Sequence, residues 1–306
     1  MDNVIVIVGP TASGKTKISI ELAKLIGGEI ISADSMQVYK YMDIGTAKPT
    51  LEERQGIEHY LIDVVYPDDE FNVVKFQKLA LEYIEHILRK GKIPIVAGGT
   101  GLYINSLIYN IKFSESATDW KLREELNKIA LTKGSKYLHD MLKEIDPEAA
   151  AKIHYNNTKR IIRAIEVYRT TNKPITYHQK MSRLEPPKYN FILVGLTMDR
   201  ELLYDRINKR VDDMLNKGLV DEVKKLIDMG YHEKLQSMQG LGYKELFWYF
   251  KGKTTLEESI YFLKRNTRHY AKRQITWFKQ NKDINWIDID ENTDINDITN
   301  QIINFI

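Results

Sequence analysis

The residues from Gly9 to Thr16 have the types and the spacing needed to bind a phosphate group. They read G-x-x-x-x-G-K-T, in which glycines let successive backbone N–H groups turn toward one anion. Lys15 adds a mobile cation, and the Thr16 hydroxyl is a ligand for magnesium. The alternative is a glycine turn without a ligand. We favour the phosphate site, whose residues are Gly9, Pro10, Thr11, Ala12, Ser13, Gly14, Lys15 and Thr16.

A carboxylate, Asp34, ends the next apolar segment, 29–34. Beside a phosphate loop such a group can hold magnesium through water or act as a general base. It can equally cap the following turn, and the residues alone leave these roles open. Ser35 and Gln37 add donors and acceptors that can bind the edge of a base. The glycine-rich turn at 98–101 is expected to form another wall of the same site.

The predicted helix 199–217 carries Arg206 and Arg210 on one face. An arginine stripe is usually a solvated face that pairs with acidic side chains. An arginine placed over a pyrophosphate would instead neutralise a leaving group, and either Arg206 or Arg210 could do so.

The predicted helix 254–281 is strongly basic. No Asp or Glu occurs between positions 259 and 282, although the whole chain has a net charge of only +3. Arg268 and Lys272 are expected to lie opposite an apolar seam of Leu263, Tyr270 and Trp277. This pattern favours contact with a nucleic-acid backbone over a merely solvated face. A smaller basic group comprises Lys159, Arg160 and Arg163, with Arg123 upstream.

These side chains need a scaffold, and the first hundred residues alternate strand and helix patterns. The β-branched run 4–8 is typical of a strand buried on both faces of a parallel sheet, so we predict an α/β fold with a doubly wound sheet. Residues 115–185 show only helical periodicity and are predicted to be an all-helical insertion domain. The core domain would comprise 1–114 and 186–306, with 183–189 as a proline-containing linker.

Composition narrows the classes of function. With 306 residues, 43% hydrophobic and 28% charged, the chain is typical of a globular protein of about two domains. It has no cysteine, which excludes disulfides, thiol catalysis and cysteine-based zinc sites. No signal-like stretch or bilayer-length apolar run is present, so we expect a cytoplasmic protein without a membrane partner.

Several stretches together resemble one family, the tRNA dimethylallyltransferases or tRNA isopentenyltransferases of bacterial type. The resemblance covers nearly the whole chain and is carried by GPTASGKT at 9–16, ISADSMQVYKYMDIGTAKP at 31–49, HYLID at 59–63, GGTGLYI at 98–104, KRIIRAIEVY at 159–168, RVDDMLNKGLVDEV at 210–223, QGLGYKE at 239–245 and AKRQITWF at 271–278. The chain lacks the zinc finger of eukaryotic relatives. Tyr155 replaces the family's usual proline in IHYNNTKR, so that loop departs from the pattern.

The resemblance implies a P-loop NTPase-like sheet flanked by helices, with the helical insertion. It implies transfer of a dimethylallyl group from dimethylallyl diphosphate to the N6 amine of the tRNA adenosine immediately 3′ of the anticodon, with release of pyrophosphate. Asp34 would then be the general base. Thr16 would be the ligand of Mg²⁺, and Arg210, or Arg206 in its place, would bind the diphosphate.

The same resemblance implies that the anticodon stem-loop of tRNA is the partner and that the chain is a monomer. The implied tRNA contacts are Asp34, Ser35, Met36, Gln37, Thr100, Arg123, Lys159, Arg160, Ile161, Ile162, Arg163, Arg268, Lys272 and Arg273. Two other interpretations use the same P-loop. One is an ATP-dependent kinase of a small molecule or nucleoside, and the other is an RNA-binding module that uses nucleotide only as a switch.

Overall fold

A six-stranded parallel sheet forms the centre of the larger part of the chain. The computed structural model describes residues 1–113, 119–182 and 185–306. The strands follow the order β3-β2-β4-β1-β5-β6, and every pairing is parallel. Their bounds are β1 (Asn3–Val8), β2 (Gly28–Ser32), β3 (His59–Tyr60), β4 (Ile93–Gly98), β5 (Asn190–Met198) and β6 (Asn285–Ile289). The predicted α/β class and parallel sheet are confirmed.

Helices occupy most of the remaining described chain. Their bounds are α1 (Lys15–Ile26), α2 (Leu51–Arg54), α3 (Val73–Arg89), α4 (Gly101–Ile108), α5 (Trp120–Lys133), α6 (Ser135–Ile145), α7 (Pro147–Lys152), α8 (Thr158–Thr171), α9 (Ile175–Met181), α10 (Arg200–Asn216), α11 (Leu219–Asp228), α12 (Tyr243–Phe250), α13 (Leu256–Phe278) and α14 (Ile295–Ile303). Among the described residues, none of these helices combines the length and the apolar character needed to span a bilayer.

The chain divides into two compact units. The first comprises Met1–Leu107 with Lys188–Ile306, and the second comprises Ile108–Pro187. The first unit contains the sheet, whereas the second contains α5 to α9. The boundary predicted between 114 and 115 lies outside the described residues, as do positions 183 and 184 of the predicted linker.

The sheet is buried on both faces, as its composition predicts. Residues 4–8 of β1 are at most 1% exposed. Ile18 and Leu22 of α1, Leu203 and Ile207 of α10, and Ala271 of α13 belong to the same core cluster as the strands. This cluster includes Ile5 and Ile7 of β1 but not Val4, Val6 or Val8, so it lies on one face of the sheet. Helix α3 also packs against β2 and β4.

Two details differ from the sequence pattern. The apolar segment 59–65 pairs as a strand only at His59–Tyr60, because Leu61 and Asp63 adopt positive φ angles of 62° and 56° that interrupt an extended chain. The apolar seam predicted for α13 does not include its last residue, because Trp277 is 40% exposed. The buried face of α13 instead includes the small and polar side chains of Thr267, Ala271 and Gln274.

The second unit has its own apolar core. Leu138 and Leu142 of α6 pack with Ile161 and Ile165 of α8, among other buried residues of α5 to α8. Asp146 caps α7 through a hydrogen bond from the Ala149 N–H at 2.9 Å. The unit therefore has the hydrophobic interior of an independent helical domain.

Candidate active site

A cavity of about 630 Å³ lies in the first unit at the carboxyl ends of the central strands. Residues 11–17 follow β1 and line one side. Residues 34–37 follow β2, and residues 98–99 lie at the end of β4. Helices α10, α12 and α13 contribute the opposite wall. In open parallel sheets ligands bind at this edge, because the loops after adjacent strands meet there.

The phosphate loop has the geometry expected for an anion site. Gly14 takes a left-handed φ of 86° directly before α1 begins at Lys15, so the free N–H groups of the helix start face the cavity. The Lys15 ammonium donates to the Gly9 and Pro10 carbonyls at 3.0 and 2.7 Å. The Ser13 hydroxyl is buried without a hydrogen-bond partner among the described residues.

Lys15 lies in a strongly cationic part of the cavity. Burial, and then the nearby Arg210 guanidinium, lower the pKa of Lys15 to about 7, whereas the Asp34 carboxylate acts in the opposite direction. Burial likewise lowers the pKa of Arg210. Two cations held close together in a partly desolvated site favour a multiply charged anion between them.

Asp34 lies two residues beyond β2 and lines the cavity. Its Oδ1 accepts a hydrogen bond from the Met36 N–H at 2.8 Å, so the turn-capping interaction is present. The N–H of Ser35, which lies between Asp34 and Met36, donates to Thr100 Oγ1 at 3.0 Å. One carboxylate oxygen therefore orients the group, while the residue still faces the cavity that holds Lys15 and Arg210.

The two candidate arginines of α10 differ. Arg210 lines the cavity, but Arg206 is not among the lining residues, and its Nη2 donates to the Asp290 carbonyl at 3.3 Å. The structure therefore places Arg210 at the cavity and directs Arg206 toward the segment after β6.

The cations of α13 also separate. Arg273 lines the cavity, whereas Arg268 and Lys272 do not. Arg268 donates to Asn208 Oδ1 at 2.7 Å, and Lys272 is exposed. The structure thus places Arg273 at the cavity and Lys272 on the outer surface of the helix.

The predicted tRNA contacts of the helical unit fall into two groups. Ile161 and Ile162 are buried, at 0% and 4% exposure, so their side chains lie in the core of the unit and only their backbone could contact RNA. Their spacing on α8 is that of a core-facing stripe. Lys159 and Arg160 are exposed, and within the described ranges neither side chain has an ion-pair partner.

Arg123 and Arg163 hold a buried carboxylate in the same unit. Glu166 is fully buried and accepts from Arg123 Nε at 2.8 Å and from Arg163 Nη1 at 2.7 Å. The Asp119 N–H donates to it at 3.0 Å. Because a buried charge needs such partners, both arginines have a structural role whatever else they contact.

Sequence reasoning missed the polar residues that α13 brings to the site. Gln274 is 6% exposed and hydrogen-bonds both the Thr11 N–H and the Gly99 carbonyl. Burial, together with the Asp34 carboxylate, raises the pKa of Tyr270 to about 12, so its hydroxyl remains a donor. Glutamine and tyrosine are ordinary side chains on a basic helix, so no signal in the sequence marks these two residues.

The oxygen donors of this cavity suit a hard divalent cation. Thr16 is an exposed residue, and both Thr16 and Asp34 line this cavity. Within the described parts of the chain, no cluster of three or more His, Asp or Glu side chains could hold a metal. The donor set therefore fits a cation whose other ligands are water and phosphate oxygens.

Comparison with known proteins identifies the family. The model of the family described as IPP transferase matches residues 37–281. A curated tRNA dimethylallyltransferase of Acetivibrio thermocellus is 65% identical over 291 residues, covering 95% of this chain and 93% of that protein. A protein of the same name from Thermoanaerobacter sp. (strain X514) is 53% identical over 305 residues, covering 99% of this chain and 97% of that protein.

The chain belongs to the IPP transferase family. Solved structures of the family agree with its fold. The tRNA isopentenylpyrophosphate transferase of Bacillus halodurans matches with a TM-score of 0.74 and 46% identity, covering 100% of this chain and 97% of that one. A eukaryotic dimethylallyltransferase acting on tRNA matches with a TM-score of 0.79 and 34% identity, covering 94% of this chain and 74% of that one. The P-loop NTPase-like fold implied by the sequence motifs is thereby confirmed.

Proposed function

We propose that this chain transfers the dimethylallyl group of dimethylallyl diphosphate to the N6 amine of the tRNA adenosine immediately 3′ of the anticodon. The amine lone pair forms a bond to C1 of the dimethylallyl group while the C1–O bond breaks, which releases pyrophosphate. The N6 proton passes to a base. The observation that supports this chemistry best is the meeting of the phosphate loop, Arg210 and Asp34 in one cavity.

The donor diphosphate would lie on the phosphate loop. Backbone N–H groups at the start of α1, with the Lys15 and Arg210 side chains, would offset the charge that builds on pyrophosphate as it leaves. Among the described residues, the Lys15 ammonium donates only to carbonyls of its own loop, so it can turn to a phosphate without breaking an ion pair. Mg²⁺ bound by Thr16 would supply further charge neutralisation at the diphosphate.

The acceptor adenosine would approach from the side of Asp34. The Met36 N–H orients one carboxylate oxygen, and the other would accept the N6 proton. Ser35, Met36, Gln37 and Thr100 belong to the same segment or bond to it, so they are suited to hold the base. A target adenosine in a stem-loop must leave its stack before its amine can reach the donor.

Contacts with the rest of the tRNA are proposed for the exposed cations. Lys159 and Arg160 in the helical unit, and Lys272 and Arg273 on α13, would bind phosphates of the anticodon stem-loop. Arg268, Arg123 and Arg163 would contribute mainly charge, since each already holds a protein partner. With tRNA as its substrate, we place the enzyme in the cytoplasm, and we propose that it acts as a monomer.

One assay separates this function from its alternatives. The protein is incubated with Mg²⁺, unmodified tRNA and either dimethylallyl diphosphate or ATP, and the tRNA nucleosides are then weighed. An adenosine heavier by one isoprenyl unit, formed only with dimethylallyl diphosphate, is the expected result. Phosphate transfer from ATP would indicate a kinase, and tRNA binding without any change in mass would indicate a nucleotide-dependent switch.

A further inference from the structure

The loop 42–48, which follows the predicted base-binding residues, is held by a carboxylate from a distant helix. Glu222 of α11 accepts hydrogen bonds from three consecutive backbone N–H groups. Its Oε2 accepts from Asp43 and Ile44 at 2.9 and 2.8 Å, and its Oε1 accepts from Gly45 at 3.0 Å. Successive N–H groups that point to one place form an anion-binding concavity, and here a side chain of the same protein fills it.

Tyr243 of α12 completes this arrangement. Its hydroxyl donates to Glu222 Oε1 at 2.7 Å, and its ring is fully buried against the loop. A Cβ added to Gly45 would lie 2.6 Å from that ring, so only glycine allows the loop to pack so closely. Glu222 therefore holds the backbone N–H groups of the loop, and the Tyr243 ring sets how closely the loop packs against α12.

The loop in turn fixes a residue that faces the cavity. The amide of Gln37 donates to the Thr46 and Ala47 carbonyls at 3.4 and 3.3 Å, and it accepts from the Ser32 hydroxyl at 2.8 Å. Gln37, Gly45 and Thr46 all line the cavity. A continuous set of hydrogen bonds thus runs from Glu222, through the loop, to Gln37.

The far end of the loop has a second anchor. The buried Lys48 ammonium donates to Asp43 Oδ1 at 2.6 Å, to Asp63 Oδ1 at 2.5 Å and to the Tyr39 carbonyl at 2.9 Å. The phosphate loop depends on neither anchor, because its own cross-link is Gln274. The acceptor wall and the donor loop are therefore held by separate sets of side chains.

We propose that Glu222 is a positioning residue for the acceptor side of the reaction. It holds the loop 42–48 so that Gln37 and its neighbours present a preformed surface to the adenosine base. This inference rests on the proposed function. It goes beyond that function because Glu222 touches neither the phosphate loop nor the proposed base.

The test replaces the carboxylate by its amide, Glu222→Gln. The shape is kept, but the negative charge is lost, and one of the two carboxylate oxygens that face the N–H donors becomes an NH₂ group. Steady-state kinetics are measured separately for tRNA and for dimethylallyl diphosphate, together with the Kd of the diphosphate alone. We expect kcat/KM for tRNA to fall about tenfold to a hundredfold, as small misplacements of binding groups produce, with the donor Kd unchanged within about twofold.

Two further variants control for a simple loss of stability. Asp228→Asn removes one charge from an exposed position of the same helix and should leave the kinetics unchanged. Tyr243→Phe removes one of the four hydrogen bonds to Glu222 and should cause a smaller loss for tRNA, again without affecting the donor. If Glu222→Gln does not fold, Tyr243→Phe provides the test. A loss in kcat/KM for tRNA with an unchanged donor Kd in that variant would support the positioning role of Glu222.

The outcomes distinguish this inference from the proposed function. If the unaltered protein forms no prenylated adenosine, the proposed function fails, and the role of Glu222 in that reaction fails with it. If the unaltered protein is active and both variants match it in kcat/KM for tRNA, the function stands and the positioning role is wrong. Equal losses for tRNA and for donor binding would also overturn it, because they would indicate a general structural role.

Discussion

The side-chain amide of Gln274 accepts a hydrogen bond from the backbone N–H of Thr11 at 2.8 Å. The same amide donates to the Gly99 carbonyl at 2.9 Å, so one buried residue of α13 joins the phosphate loop to the turn after β4. A Cβ added to Gly99 would lie 2.1 Å from that amide nitrogen. The positions of α13 and of both loops at the cavity therefore depend on one another.

The first prediction concerns this cross-link. Gln274→Leu keeps the volume but leaves the Thr11 N–H and the Gly99 carbonyl without their partner. We expect the free energy of unfolding to fall by about 2–4 kcal/mol and the donor to bind more weakly. Urea unfolding and titration with dimethylallyl diphosphate measure the two effects. Gln280→Leu, at an exposed position after the same helix, is the matched control. Unchanged unfolding would show that water or another side chain replaces both hydrogen bonds.

The second prediction separates the two roles of Asp34. Asp34→Asn keeps an oxygen that can accept from the Met36 N–H but cannot take a proton. If Asp34 is the general base, this variant should lose transfer by roughly 10²- to 10⁴-fold in single-turnover kinetics while tRNA still binds. If Asp34 only caps the turn, Asp34→Asn should remain active and Asp34→Ala should not. Asp205→Asn, an exposed change on α10, serves as the control.

The third prediction compares two arginines of one helix. Arg210 lines the cavity, whereas Arg206 donates to the Asp290 carbonyl outside it. Arg210→Met should lower kcat by about 10²- to 10³-fold, because a charge that stabilises the leaving group is lost. Arg206→Met should change kcat little. Stopped assays of pyrophosphate release at saturating substrate measure both variants. A larger loss for Arg206→Met would reverse the assignment.

The sheet and the phosphate loop were predictable because their signals are local. A β-branched run before G-x-x-x-x-G-K-T specifies strand, loop and helix within a short stretch, and the structure has β1 and α1 there. The choice between Arg206 and Arg210 was not predictable. The two side chains are four residues apart on one helix, so only the packing of α10 decides which of them reaches the cavity.

The roles of Glu222, Tyr243 and Gln274 were hidden for a related reason. Glu222 and Gln274 contact loops more than 170 positions away in sequence. Tyr243 depends on Glu222, to which its hydroxyl donates. Side chains of these types are ordinary on exposed helix faces, and nothing in their spacing marks a partner. Conversely, the apolar character of Ile161 and Ile162 in the KRIIRAIEVY motif already indicates the core of the helical unit, where their side chains lie.

The fourth prediction concerns acid stability. Glu29 is 2% exposed, and burial by itself would raise the pKa of its carboxyl. Hydrogen bonds from Lys92, Lys90 and Tyr60 outweigh this effect and lower the pKa from 4.5 to about 2. A depressed folded-state pKa means that the stabilisation is complete above the unfolded value and is lost as the pH falls toward 2. The full effect is about 3 kcal/mol.

Glu29→Gln should therefore unfold more easily than the unaltered protein at pH 7, and this difference should shrink as the pH falls below about 4.5. Urea unfolding at several pH values measures it. Glu82→Gln, an exposed change on α3, controls for the loss of one charge. A difference that stays constant from pH 7 to pH 3 would contradict the ionic stabilisation of Glu29.

The last prediction separates RNA binding from folding in the helical unit. Lys159 and Arg160 are exposed, whereas Arg123 and Arg163 bind the buried Glu166. Lys159→Ala and Arg160→Ala should each weaken tRNA binding and reduce the salt slope of the binding constant by about 1, with no change in thermal stability. Arg123→Ala should instead lower stability by about 1–3 kcal/mol, because two hydrogen bonds to a buried charge are lost.

Binding measured by filter retention over a range of salt concentrations, together with thermal unfolding, separates the two classes of variant. Lys143→Ala, an exposed change on α6, is the control for the loss of one positive charge. Because counterion release depends on phosphate contacts, a surface lysine that touches no RNA leaves the salt slope unchanged. If Lys159→Ala and Arg160→Ala behave like Lys143→Ala, the helical unit does not hold the tRNA backbone through α8, and the contact must lie on another face of the protein.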